Sequence, residues 1–227
     1  MRTISKGLHN KYAKTIIPIA LVVGLVFGFF FGLGFMLNTS TPVMVVESGS
    51  MCLPYGSACD GWLSVTHVFA PTLHKGDLII IQGVDPETLN INYPNSDVIV
   101  YKKPTNLTAT PVVHRIVTSY KENGTLYFQT KGDGNGQKWP AVPSATEYDT
   151  NTVYFGDGQG VPENLVIGKV IMRIPYFGWI TLVMRDNQWV LAVIIVLILL
   201  LIVLEFIVPE VKRKKIHPSV KKYAEVV

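Results

Sequence analysis

The sequence predicts a mainly β domain outside a membrane, flanked by two transmembrane α-helices. Two long apolar runs, one near each end of the 227-residue chain, predict the helices. Each run is long enough to cross a hydrocarbon core of roughly 30 Å. Short runs rich in valine, isoleucine and tyrosine between them predict the β domain. This length suits one domain with its anchors.

The first apolar run covers residues 15–37, which are 23 residues without a charged side chain. A cleaved signal peptide is the alternative, but its apolar stretch is shorter, and no small-residue cleavage site follows in residues 38–42. We therefore expect an uncleaved anchor. The second run covers residues 189–208, in which Glu205 is the only charged residue.

Basic residues beyond both runs predict the orientation. They are Arg2, Lys6, Lys11 and Lys14 on one side, and Lys212, Arg213, Lys214, Lys215, Lys221 and Lys222 on the other. The positive-inside rule places the tails 1–14 and 209–227 in the cytoplasm and residues 38–188 outside. We therefore expect a multi-pass protein of the cell membrane. The exterior segment holds 13 acidic and 10 basic residues, so the formal charge of +4 reflects topology rather than nucleic-acid binding.

The exterior segment is predicted to contain six strands separated by proline, glycine, asparagine and aspartate. They are residues 43–46, 78–82, 97–101, 112–117, 126–130 and 166–171. Several are apolar throughout, as in strands buried on both faces. No run of ten or more residues has a helical period there. Residues 132–160 have the composition of a loop.

Both cysteines, Cys52 and Cys59, lie in this exterior segment. Outside the cytosol they could pair and close a short loop, and two free thiols are the alternative. Their spacing matches no metal motif, so we expect neither a metal nor another cofactor. Asn38, Asn106 and Asn123 begin Asn-x-Ser/Thr triplets, which agree with an exterior location.

A serine beside the first span could be a nucleophile. The segment Val45 to Met51, VVESGSM, follows the apolar run closely, and serine and glycine there could form only a turn. Serine chemistry needs a base and donors for an oxyanion. His114 is a candidate base, because it lies in an apolar strand and an imidazole titrates near neutral pH. A hydrogen-bonded strand histidine is the alternative.

Five segments match a family pattern in the right order. They are 48–51 (SGSM), 71–77 (PTLHKGD), 113–116 (VHRI), 131–135 (KGDGN) and 157–168 (DGQGVPENLVIG). With them the chain resembles the type I signal peptidases, in the archaeal and endoplasmic-reticulum branch, which uses histidine where the bacterial branch has lysine. The resemblance covers residues 42–185, and proteins of this branch often carry a C-terminal span as well.

The resemblance implies a signal-peptidase-like irregular β-fold and a serine endopeptidase that cleaves signal peptides. Ser50 is then the nucleophile, His114 the general base, and Ser48 a donor to the oxyanion. Residues 43–47, and in particular Val45, Val46 and Glu47, would offer a strand edge to an extended substrate. The implied partners are signal-peptide-bearing preproteins, the lipid bilayer and the secretion translocon.

The chain departs from the family pattern at two places. Residues 52–70 form an insertion, which we expect to be a flap beside the cleft and the membrane, or else an insertion packed on the β domain. The family also has an Asp where this chain has Trp139, which leaves the acid of the triad open. Asp157 comes first because of the segment that follows it, and Asp133 is the alternative. Asp149 is a distant third.

Two rival functions remain. A Ser-Lys pair would use Lys102 or Lys103 as the base, since burial can lower the pKa of a lysine. A non-catalytic binding module anchored outside the membrane would need none of these side chains. Ser50→Ala would leave such a module's function intact.

Overall fold

The computed structural model describes residues 2–53, 72–149, 158–187, 189–198 and 200–201. It contains two compact units, Met1–Trp179 and Ile180–Val227. The first unit begins with helix α1 (Arg2–Met36) and contains seven strands. They are β1 (Val43–Val45), β2 (Leu78–Gln82), β3 (Val98–Tyr101), β4 (Val112–Glu122), β5 (Thr125–Lys131), β6 (Val161–Pro162) and β7 (Val166–Ile174).

All seven strands join one antiparallel sheet in the order β1-β2-β7-β3-β4-β5-β6. The hairpin β4–β5 turns at Asn123 and Gly124, whose φ angles of 50° and 84° suit the turn that two-residue hairpins prefer. Register shifts interrupt the β2–β7, β3–β7 and β4–β5 pairs. Such bulges increase the local twist and bend the strands.

The sheet carries an apolar core on each face. Ile99 and Tyr101 of β3 belong to one buried cluster, and Val100 belongs to the other. Successive strand residues point to opposite faces, so the two clusters lie on opposite sides of the sheet. This explains why several strands are apolar throughout rather than alternating.

The mainly β prediction is confirmed, with two differences. All six predicted strands are present, and β6 is an additional strand of two residues. Helix α2 (Trp179–Asp186) is also additional, since its eight residues are too few for a clear helical period.

The two predicted spans differ in their outcome. Among the described residues, Ile16–Met36 is long and apolar enough to cross a membrane by itself, with 21 residues, a mean hydropathy of 2.6 and exposed side chains. It is the end of a helix that already begins in the predicted basic tail. A second span is obtained only if α2 is joined to helix α3 (Trp189–Ile198) across a bend of 105°. Two independent transmembrane helices are therefore not found among the described residues, and residues 202–227 lie outside them.

Candidate active site

The turn that carries Ser50 is held from several sides. Strand β1 continues into Val46, whose N–H donates to Asp77 O at 2.9 Å and whose carbonyl accepts from Gly76 N–H at 2.8 Å. Within the turn, Cys52 N–H donates to Gly49 O at 2.9 Å. Ser50 is thereby placed at a fixed point beyond the end of an edge strand.

A second loop packs directly on this turn. Gly134 N–H donates to Ser50 O at 2.8 Å. A Cβ atom added to Gly134 would lie 2.4 Å from Cys52 O, and one added to Gly132 would lie 2.5 Å from Ser50 O. Glycine is therefore needed at both positions of the Lys-Gly-Asp-Gly segment, because only a residue without a side chain permits this approach.

Cys52 is disulfide-bonded, and its side chain is fully buried. Of the two alternatives for the cysteines, pairing is thus the one found for Cys52. Cys59, like most of the insertion 52–70, lies outside the described residues. The flap prediction therefore stays a prediction.

His114 connects Ser50 to an acid. It lies on β4, is only 8% exposed, and its Nε2 is 2.9 Å from Ser50 Oγ. Its Nδ1 is 2.5 Å from Asp149 Oδ2. Hydrogen-bond contact between a hydroxyl and a base, with the base oriented by a third group, is the arrangement that activates a serine.

The acid that contacts His114 is Asp149, the last of the three aspartates predicted as candidates. The alternative Asp133 binds Arg115 instead, with Arg115 Nε and Nη2 donating to its two carboxylate oxygens at 2.8 Å each. The physical reason is that Arg115 follows His114 on the strand and points to the opposite face of the sheet. An acid that holds Arg115 with both oxygens is on the wrong side for His114. The first choice, Asp157, lies outside the described residues.

Ser48 lies beside the nucleophile. Its Oγ is 3.2 Å from Ser50 Oγ. A hydroxyl at this distance is within reach of an oxygen that becomes negatively charged when Ser50 attacks a carbonyl.

A cavity of about 390 Å³ opens in front of these groups. Its walls include Val45, Val46 and Glu47 as well as Ser50, His114 and Asp149. Strand β1 is at the edge of the sheet. Ile81 N–H donates to Pro42 O, and Val46 N–H donates to Asp77 O. The backbone N–H and C=O groups of the even-numbered residues in and next to β1 therefore point toward β2. The backbone groups of Val43 and Val45 face the free edge.

The three predicted substrate-binding residues therefore differ in what they can offer. Val45 has free-edge backbone groups beside the cavity. Val46 uses its backbone within the protein and is 5% exposed, so it can contribute only part of a wall. Glu47 contributes to the same wall.

The lysines of the rival mechanism are placed differently from His114. Lys103 lines the same cavity, and Lys102 is exposed. The hydrogen bond from the base position to Ser50 Oγ is made by the imidazole. Lys131 of the Lys-Gly-Asp segment, whose pKa burial lowers, donates to Gly132 O and Gln137 O at 3.2 and 2.6 Å.

A separate polar cluster lies behind the Pro-Thr-x-x-x-Gly-Asp segment. Arg173 Nη1 donates to Asp77 Oδ2 at 3.3 Å, and His74 N–H donates to the same oxygen at 2.9 Å. Burial nevertheless raises the pKa of Asp77 above its ordinary value. Thr72 Oγ donates to Met51 O, which ties this cluster to the residue after Ser50. No group of three potential metal-binding side chains occurs within the described ranges.

Comparison with known proteins gives relatives along most of the chain, although no family model matches. The chain is 28% identical over 210 residues to the signal peptidase complex catalytic subunit SEC11 of Leptosphaeria maculans, which covers 90% of this chain and 99% of that protein. It is 25% identical over 203 residues to SEC11 of Fusarium vanettenii, covering 88% and 97%. The human subunit SEC11C is 25% identical over 172 residues, covering 75% and 71%.

These relatives are eukaryotic, so they do not support the archaeal part of the branch that the chain resembles. Their alignments cover between 75% and 90% of the chain, more than the five short motifs together. The resemblance to type I signal peptidases is therefore confirmed, and with it the prediction that the chain is an enzyme, a serine endopeptidase of the signal peptidase class.

Proposed function

We propose that this chain is a membrane-anchored Ser-His-Asp endopeptidase that removes signal peptides from exported preproteins. The observation that carries the proposal is the contact series Ser50 Oγ to His114 Nε2 at 2.9 Å and His114 Nδ1 to Asp149 Oδ2 at 2.5 Å. The relatives named as catalytic subunits of the signal peptidase complex supply the reaction class.

The reaction follows from these contacts. Ser50 Oγ attacks the carbonyl carbon of the scissile peptide while its proton passes to His114 Nε2. Asp149 accepts the Nδ1–H, which fixes the tautomer and stabilises the imidazolium. The imidazolium then protonates the leaving amine as the C–N bond breaks. Water, deprotonated by His114, hydrolyses the acyl-enzyme and regenerates Ser50.

Two donors serve the oxyanion of each tetrahedral intermediate in this proposal. One is the backbone N–H of Ser50, and the other is the hydroxyl of Ser48, which lies 3.2 Å from the nucleophile oxygen. Donors fixed before the reaction stabilise the developing charge without reorganising. The packing of Gly132 and Gly134 on the turn supports such rigidity.

The substrate extends along the free edge of β1. The backbone of Val45 pairs with the substrate in an antiparallel or parallel ladder. Glu47 lines the cavity between this pairing and Ser50. The cavity beside this edge is small, so small side chains before the cleavage point fit best. The strand edge and the cavity together suit a substrate that is extended and has small residues before the cleavage point.

The proposed location is the outer surface of the cell membrane. The apolar segment Ile16–Met36 lies seven residues before β1, which keeps the catalytic turn close to the bilayer. The basic residues in 1–14 and 209–227 favour cytoplasmic termini and an exterior catalytic domain, provided that the chain crosses twice. The secretion translocon is then the source of the emerging preprotein.

Cleavage of a preprotein by the purified full chain in detergent tests the proposal. Wild type should release the mature protein, whereas Ser50→Ala should lose activity with unchanged thermal unfolding, and His114→Ala should lose activity while the domain stays folded. Ser119→Ala, in the same sheet at a position remote from the cavity, is the matched control and should be fully active. A Ser50→Ala variant that cleaves as fast as wild type contradicts the proposed function.

A further inference from the structure

The acid beside His114 does not come from the sheet. Asp149 lies beyond β5, in the segment that follows the short 3-10 helix Ala145–Glu147. Its carboxylate is nevertheless buried, with the residue 7% exposed. A side chain from a loop needs partners to keep one orientation, because loop backbones are the more mobile part of a fold.

Three adjacent strands supply those partners. Thr130 Oγ on β5 lies 2.8 Å from Asp149 Oδ2, and Tyr101 Oη on β3 lies 3.4 Å from the same oxygen. His114 Nδ1 on β4 makes the third contact, at 2.5 Å. The two hydroxyls are also 2.9 Å apart.

The strand register explains why these groups converge. Tyr101 pairs with Val112, and Thr130 pairs with Ile116. Val112 and Ile116 are the residues next to His114 on the same face of β4. Alternate residues of a strand share a face. One face of β3, β4 and β5 therefore presents all three donors toward a single carboxylate oxygen.

The proton positions follow from the distances. Each hydroxyl has one proton, and Thr130 directs its own to Asp149, since a carboxylate only accepts. Tyr101 then donates to Thr130 Oγ, which is its nearer partner. Burial raises the pKa of Tyr101 well above its ordinary value of 10.0, and the charge of Asp149 adds to this, so the phenol keeps its proton. The result is a series in which Tyr101 donates to Thr130 and Thr130 donates to Asp149.

We propose that Thr130, supported by Tyr101, is the positioning residue that orients the Asp149 carboxylate toward His114 Nδ1. This inference rests on the proposed function and deepens it. Without the Thr130 hydroxyl, Asp149 Oδ2 loses its 2.8 Å donor and keeps the bond to His114 and the longer contact to Tyr101, so the orientation of the carboxylate is less constrained. Thr130 is 1% exposed and Tyr101 fully buried, so water does not readily replace the lost donor.

The test compares Thr130→Val, which removes the hydroxyl at nearly constant shape, with Thr130→Ser, which keeps it. With a preprotein substrate, Thr130→Val should lower kcat by roughly 10–100-fold, the order that loss of a hydrogen bond to a charged group costs. KM should stay unchanged, because Thr130 does not line the cavity. Thr130→Ser should restore most of kcat. Thr118→Val, on an exposed position of β4, is the matched control and should be neutral.

Tyr101→Phe gives a second, independent arm. In the wild-type background it should lower kcat less than Thr130→Val does, because it acts through Thr130. Added to Thr130→Val it should lower kcat only slightly further, through its long contact to Asp149, since the series through Thr130 is already interrupted. Additive losses in this double-mutant cycle contradict the series. Equal losses for Thr130→Val and Thr130→Ser mean that packing matters rather than the hydroxyl, and they overturn the inference.

A readout that needs no substrate separates this inference from the proposed function. The Nδ1–H resonance of His114, assigned with His114→Ala in a ¹⁵N-histidine-labelled sample, should move in Thr130→Val and return in Thr130→Ser. If wild type cleaves no preprotein, the proposed function fails while the resonance still decides the role of Thr130. A resonance that is identical in wild type and Thr130→Val refutes the positioning role even if Ser50 proves catalytic.

Discussion

Replacing either of two buried aspartates by asparagine should give opposite phenotypes. Asp149→Asn removes the charge that accepts His114 Nδ1–H at 2.5 Å, in a pair whose side chains are 11% and 9% exposed. In a serine protease with the same constellation this change lowers kcat by about 10⁴-fold, because the histidine takes the wrong tautomer. That factor corresponds to about 5.4 kcal/mol of transition-state free energy. We expect a similar loss here, with the fold intact.

Asp133→Asn should instead lower stability. The side chains of Arg115 and Asp133 are 8% and 1% exposed, and Arg115 makes two 2.8 Å hydrogen bonds to the carboxylate. Removing one partner leaves a buried charge uncompensated, which costs roughly 3–5 kcal/mol. Arg115 keeps its bond to Ser96 O and its contact with the Trp139 ring, so the lower part of this range is expected.

The assay measures kcat with a preprotein and the free energy of unfolding with urea, for Asp149→Asn, Asp133→Asn and Asp157→Asn together. Asp149→Asn should be inactive and stable, Asp133→Asn less stable with a small loss of kcat while folded, and Asp157→Asn close to wild type. A folded, stable Asp133→Asn or Asp157→Asn protein that has lost about 10⁴-fold in kcat, beside an active Asp149→Asn protein, would refute the assignment.

Three further predictions concern the turn, the substrate edge and pH. Ser48→Ala should lower kcat by roughly 10²–10³-fold without changing KM, as loss of an oxyanion donor does; a silent variant would remove Ser48 from the oxyanion site. Val45→Pro should lower kcat/KM while the domain stays folded, because the Val45 N–H faces the free edge of the sheet. Met44→Pro should instead unfold the edge strand, because the Met44 backbone faces β2, and circular dichroism would report the change. Burial raises the pKa of Asp77 above its ordinary value of 3.8, so the folded state binds this proton more tightly than the unfolded state does. The contribution of Asp77 to the unfolding free energy should therefore decrease as the pH rises just above 3.8. Asp77→Asn should remove this pH dependence, which urea titrations at several pH values would measure.

The strands could be predicted from sequence because their signal is local. Each of the six predicted runs combines β-branched or aromatic residues with turn residues at its ends, and each is a strand in the structure. Strand β6 has only two residues, Val161–Pro162, and depends on pairing with Tyr127 and Phe128. No local composition predicts such a strand. Helix α2 was not predicted either, because its eight residues are too few for a clear helical period.

The site residues that lie in short motifs could be predicted from the sequence. The acid could not, because a long loop separates it from the nearest motif. Ser50 and His114 each lie in a short segment with a recognisable pattern, and the two meet at 2.9 Å. The acid arrives from the end of a loop, and residues 132–160 contain several aspartates at unrelated spacings. Which one returns to His114 depends on tertiary packing, and the burial of Asp149 by Thr130 and Tyr101 has no sequence signature of its own.

Strand β4 explains why two acids are needed. Its neighbours His114 and Arg115 point to opposite faces, so each requires its own carboxylate. Asp149 serves the imidazole, and Asp133 fixes Arg115. Because Asp133 immediately precedes Gly134, whose N–H donates to Ser50 O at 2.8 Å, the ion pair also fixes the loop that braces the nucleophile turn. The aspartate of the Lys-Gly-Asp segment thus acts on the serine side of the site through the backbone, and the imidazole takes its acid from elsewhere in the chain.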